Sequence, residues 1–185
     1  NPSYGEVDVE LGPNETILIE PGAMSRMSSN MNSSFQRQGG FFSAIFRRMF
    51  GGESFFLGKY EHPDGGKLTF APSIPGHVEN RQLTNNSLNI MAGCFLACTP
   101  GVNIKAKFGG LKALFSGEGA FLLEASGNGE LFFNSFGGIV EKQINGEFIV
   151  DTGHVVAFDP SLDYTISGMG NFKSTMPSGE GLVMR

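Results

Sequence analysis

One pattern occurs three times in this sequence and constrains everything else. Gly51-Gly52-Glu53-Ser54-Phe55-Phe56-Leu57, Ser116-Gly117-Glu118-Gly119-Ala120-Phe121-Leu122 and Ser178-Gly179-Glu180-Gly181-Leu182-Val183-Met184 each set a glutamate after a glycine and before an apolar run. The glutamates Glu53, Glu118 and Glu180 fall about 62–65 residues apart, which divides one domain, 1–185, into units near 1–60, 61–122 and 123–185. A second marker is a strand followed by a Pro/Thr-Gly turn. It reads as Ile19-Glu20-Pro21-Gly22, Cys98-Thr99-Pro100-Gly101 and Val150-Asp151-Thr152-Gly153. Gly22, Gly101 and Gly153 are thereby assigned as structural turn positions, where a side chain would restrict the backbone.

Strand signals fill each unit. Val7, Val9 and Leu11 alternate with charged residues, as in a strand buried on one face. Phe121-Leu122-Leu123 and Leu131-Phe132-Phe133 flank Ser126-Gly127-Asn128-Gly129, which predicts a hairpin; Pro63-Asp64-Gly65-Gly66 before Leu68-Thr69-Phe70 predicts another. With 27 glycines and few helical patterns, the expectation is an all-β fold, a sandwich or barrel with its units in pseudo-threefold arrangement.

Composition narrows the function classes. Thirteen Lys and Arg stand against 18 Asp and Glu, for a net charge of −5, and no basic stripe repeats from unit to unit, which speaks against nucleic acid. The longest uncharged stretch, Leu83 to Ile104, is broken by asparagines, so it does not read as a membrane-spanning helix. Cys94 and Cys98 read as one strand, which would hold them roughly 13 Å apart, beyond the reach of about 7 Å that a disulfide needs. They are expected to be small buried hydrophobes.

Catalytic and metal chemistry find little support. His62, His77 and His154 are scattered, without the paired spacing of a histidine metal site. No Gly-x-Ser-x-Gly elbow occurs. No catalytic residue, metal ligand or cofactor is assigned, and the expectation is a protein that is not an enzyme. Each repeated glutamate is expected to fix a turn by accepting backbone N–H bonds. The one surface candidate is Phe41, Phe42, Ile45, Phe46 and Met49, an apolar stripe at helical spacing with Arg47 and Arg48 mostly off it. Such a stretch suits a cap on the β core, or contact with a membrane surface or protein partner.

The runs Glu20-Pro21-Gly22-Ala23-Met24, Gly52-Glu53-Ser54-Phe55-Phe56, Asp151-Thr152-Gly153-His154-Val155, Ser161-Leu162-Asp163-Tyr164 and Ser178-Gly179-Glu180-Gly181-Leu182-Val183 resemble signatures of the family called altered inheritance of mitochondria, member twenty-four. The resemblance extends from about Val7 to Val183. It implies three repeats, each similar to the subunit of the tryptophan-activated RNA-binding attenuation protein, a short double-stranded β-helix or sandwich. It brings no catalytic residues. It implies a cytoplasmic place for a bacterial member and a mitochondrial one, linked to inner-membrane organisation, for a eukaryotic member. Family members continue past the third Gly-Glu strand, so here the third unit is expected to be incomplete or completed by the strand around Val7–Leu11. Exposed sheet edges must be covered, so the expected role is that of a non-catalytic scaffold or binding protein acting as a homo-oligomer. The alternatives are peripheral membrane association and a small-molecule or metal binder.

Overall fold

The computed structural model describes residues 4–37, 56–107, 122–168 and 180–184. Among them the chain is all-β, with no α-helix. The first half holds β1 (Val7–Leu11), β2 (Thr16–Ile19), β3 (Met24–Met27), β4 (Asn32–Arg37), β5 (Phe56–Glu61), β6 (Gly66–Phe70) and β7 (Val78–Met91). The second holds β8 (Phe95–Cys98), β9 (Val102–Lys107), β10 (Leu122–Asn134), β11 (Phe148–Asp151), β12 (Ala157–Phe158), β13 (Tyr164–Gly168) and β14 (Glu180–Met184). Two single 3-10 turns, Ala92–Cys94 and Thr152–His154, link strands.

The strands form three antiparallel sheets. The largest runs β12-β7-β10-β8-β2-β5-β4, with β9 also paired to β10. Smaller sheets run β1-β6-β3 and β11-β14-β13. β8 is the central strand, and Phe95, Leu96, Ala97 and Cys98 are all fully buried. Two neighbouring strands and cover on both faces explain its uninterrupted apolar sequence. Its pairing with β10 skips Leu96, since Phe132 opposes Ala97 and Phe133 opposes Phe95. Phe95 and Cys98 consequently join a core with Leu18, Leu57, Leu83, Ile90 and Leu131. Leu96 and Ala97 face the other way, against Leu68 and Phe70 of the β1-β6-β3 sheet. There Phe70 and Phe132 meet edge to face at 5.3 Å. A third cluster of Leu122, Val155, Phe158 and Met184 seats the β11-β14-β13 sheet.

β1 has the expected alternation, but it pairs with β6, Val7 opposite Phe70 and Leu11 opposite Gly66. It therefore does not complete the third unit. Neither glycine-rich signal makes a hairpin. Residues 126–129 lie inside the single strand β10, where the register against β7 shifts between Gly127 and Asn128. Asn85 of β7, in left-handed geometry at φ 53, donates its N–H to Asn128 Oδ1 at 2.9 Å, so both strands bend together. A Cβ on Gly127 would lie 2.4 Å from the Gly101 carbonyl oxygen. The glycines thus serve a bulge and a close backbone approach rather than a reversal. The segment after β5 is a corner that hands the chain from the large sheet, where β5 pairs β2 and β4, to the small one, where β6 pairs β1 and β3. His62 holds this corner: its Nε2 bonds the Ser29 carbonyl at 2.9 Å and its Nδ1 accepts the Asp64 N–H at 3.2 Å.

Candidate functional site

Three strand pairs root the segments that carry the repeated glutamates. Arg37 opposes Phe56, Lys107 opposes Leu122, and Gly168 opposes Glu180. The surface candidates Phe41, Phe42, Ile45, Phe46, Arg47, Arg48 and Met49, and the glutamates Glu53 and Glu118, lie outside the described residues. Glu180 opens β14 through its backbone.

The three turn glycines occupy different settings. Gly22 has φ +88, a left-handed turn position with open space around it. Gly153 lies in the Thr152–His154 turn and donates its N–H to Asp151 Oδ1 at 2.9 Å. Gly101 follows the next strand along, and a Cβ there would lie 2.0 Å from the Asn128 carbonyl oxygen. The 3-10 turn between β7 and β8 contains Gly93.

Cys94 ends a 3-10 turn instead of sharing a strand with Cys98, and both thiols are free. Burial pushes Cys98 up to about 12. Burial, then the nearby Glu20 charge, push Cys94 up to about 11. Thiols so disfavoured as thiolates are poor nucleophiles. Glu20 itself is the one carboxyl among the described residues that burial raises strongly, to about 7. Its main chain is tied down, N–H to the Leu96 carbonyl at 2.8 Å and C=O to the Ala23 N–H at 3.1 Å. No opposing charge or side-chain hydrogen bond offsets that burial. Among the described residues no group of three or more His, Cys, Asp or Glu could hold a metal ion.

A groove of about 410 Å³ crosses the outward face of the β1-β6-β3 sheet, lined by Asp8, Glu10, Arg26, Lys67 and Thr69. Its cations are already partnered. Arg26 reaches Glu6 at 2.9 Å and Asp8 at 3.2 Å, and Lys67 reaches Glu10 at 2.8 Å. Hydrogen bonding to Arg26 and to Lys67 holds Glu6 and Glu10 below the ordinary carboxylate range. An anionic ligand would have to break these pairs.

The unusual surface is apolar. The most exposed large apolar side chains among the described residues are Val140 at 89%, Phe136 at 79% and Phe35 at 78%. Phe35 stands on β4, the terminal strand of the large sheet, where every residue from Asn32 to Gln36 is exposed. Phe136 and Val140 stand on the connection from β10 to β11. Val140 is followed by the polar run Glu141-Lys142-Gln143, which carries no strand alternation that would mark this surface in the sequence.

The whole chain, residues 1–185, matches the family described as mitochondrial biogenesis AIM24. The chain belongs to this family. An uncharacterized protein of Streptococcus pyogenes serotype M6 is 32% identical over 187 residues, spanning 96% of this chain and 75% of that protein. A crystal structure of a Streptococcus pyogenes protein superposes with a TM-score of 0.80 at 27% identity, covering all of this chain and 86% of that one. These relatives carry the fold and the family, and they assign no reaction.

Proposed function

We propose that this AIM24-family chain is a non-catalytic assembly module, acting by self-association through its sheet edges. The observation that carries this reading is β4, a six-residue strand that has one neighbour, β5, among the described residues and no buried side chain from Asn32 to Gln36. An edge strand with exposed side chains is a template for another chain. The family members cited above offer no competing activity. Sedimentation velocity of the untagged protein across a wide concentration range tests the reading. Mass-action growth of a defined oligomer is expected, and a single species at the monomer mass of 19.8 kDa throughout would refute it.

Three related units, each similar to the subunit of the tryptophan-activated RNA-binding attenuation protein, underlie this module. The three strand pairs closed by Arg37–Phe56, Lys107–Leu122 and Gly168–Glu180 support that reading. So do the strand–turn–strand entries before them: β2 to β3, the end of β7 to β8, and β11 to β12. In this alignment Gly22, Gly93 and Gly153 correspond, while Gly101 falls with the later turn around Pro160.

A further inference from the structure

We propose that residues 138–146 of one copy add as a strand to the β4 edge of a neighbouring copy, which makes the self-association head-to-tail. This rests on the assembly reading above and names its interface.

The segment has an unusual status within its own chain. No main-chain N–H or C=O from residue 138 to residue 146 bonds another main-chain group among the described residues. Side chains alone moor it: Ile139 packs on the core, Glu141 meets Arg81 at 3.5 Å, and Lys142 lies 5.0 Å from the Phe148 ring centre. Among the described residues its main-chain hydrogen-bonding groups have no main-chain partner, and backbone groups in folded proteins are nearly all paired with protein or water. Just before it, the His77 N–H donates to the Gly137 carbonyl at 2.9 Å, the Ser135 N–H to the His77 carbonyl at 3.0 Å and the Gly137 N–H to the Pro75 carbonyl at 3.2 Å, which fixes where it leaves β10.

β4 has the complementary need. It is an edge with one row of peptide groups facing no strand among the described residues. The segment is anchored beside β7 through Arg81, and β7 and β4 lie near opposite ends of the strand order. A second copy therefore supplies the partner. The three most exposed large apolar side chains, Val140, Phe136 and Phe35, fall on or beside these two elements and nowhere else. Charge does not oppose the pairing, because Glu141 and Lys142 cancel and the one charge on β4 is Arg37 at its end. Strand addition of this kind draws affinity from main-chain bonds and selectivity from alternate side chains. Each copy offers one edge and one segment, so the contact is heterologous and generates a ring or an open chain.

The test mixes two variants. Phe35→Lys disables the edge. Val140→Pro with Gln143→Pro disables the segment; these positions have opposite parity, so one of the two lost N–H groups points at the edge in either register. Among the described residues neither N–H bonds another main-chain group, so folding is expected to survive and is checked by thermal melting. Size-exclusion chromatography with light scattering should show the unaltered chain as an oligomer and each variant as a monomer. An equimolar mixture should form a dimer containing one copy of each, through the single intact contact. Variants that stay oligomeric, or a mixture that stays monomeric, overturn this interface while self-association stands. An unaltered chain that is monomeric overturns both. If either variant melts early, a Ser34→Cys chain mixed with a Val140→Cys chain gives a second reading. An interchain disulfide joining the two different chains supports the contact, and its absence refutes it.

Discussion

Replacing Glu20 by Gln should stabilise the protein above about pH 4.5, with the full effect above pH 7, and leave it unchanged below. In the folded chain burial raises this carboxyl from 4.5 to about 7. Below pH 4.5 it is protonated in both states and contributes nothing to the pH dependence. Between 4.5 and 7 the unfolded chain has ionised while the folded chain still holds the proton, so stability falls as pH rises. Above 7 the folded chain carries a buried carboxylate and the full penalty applies. At about 1.4 kcal/mol for each pH unit between the two values, that penalty is on the order of 3 kcal/mol. Gln removes the charge at nearly constant volume. Urea unfolding of both proteins at pH 4, 6 and 8 should therefore give curves that coincide at pH 4 and separate progressively, the variant ahead by about 3 kcal/mol at pH 8. In melting temperature that gap is roughly 6–12 °C for a chain of this size. Contributions from other titrating groups cancel in the difference. A gap that is flat across pH, or a variant weaker at pH 8, would refute the reasoning, because either means that the carboxylate has a favourable partner.

The close approach at the β10 bulge makes Gly101→Ala destabilising by about 1–3 kcal/mol or more, since its Cβ would strike the Asn128 carbonyl. Gly93→Ala, with open space around it, should stay within about 0.5 kcal/mol, and chemical denaturation of the two side by side checks the contrast. Native protein should resist Ellman's reagent at pH 8, where thiols at about 11 and about 12 leave at most about one thiolate in a thousand, and should release two thiol equivalents in denaturant. Arg26→Ala should leave the denaturation midpoint nearly unchanged, and the small change should shrink further in 1 M salt, because the pairs it breaks are exposed.

The fold class was legible because its signals are local. Val7, Val9 and Leu11 alternate as the strand they form, and the apolar run at Phe95–Cys98 marks a strand buried on both faces. Pairing was less legible, because glycine-rich turns state that the chain bends without stating what it bends toward. Gly127 and Gly129 read as a reversal, and the structure uses them to let Gly101 and Thr99 approach a continuous strand. Pro63-Asp64-Gly65 does turn the chain, but into a different sheet, and the cue for that lies in Val7–Leu11, some fifty residues earlier, which supplies β6 with its partner. Cys94 was misplaced by one element because Ala92-Gly93-Cys94 carries no polar turn residue. Of the candidate site, the Phe41–Met49 stretch lies outside the described residues. That, among the described residues, β4 has one strand neighbour and residues 138–146 have no main-chain partner emerges only from the pairing of the other strands.

Native mass spectrometry of the untagged protein tests the central claim most directly, since one spectrum reports subunit number and any retained mass. The assembly account predicts a whole multiple of 19.8 kDa with nothing added. A monomer at every concentration would contradict self-association, and an excess mass lost on denaturation would point instead to a bound ligand.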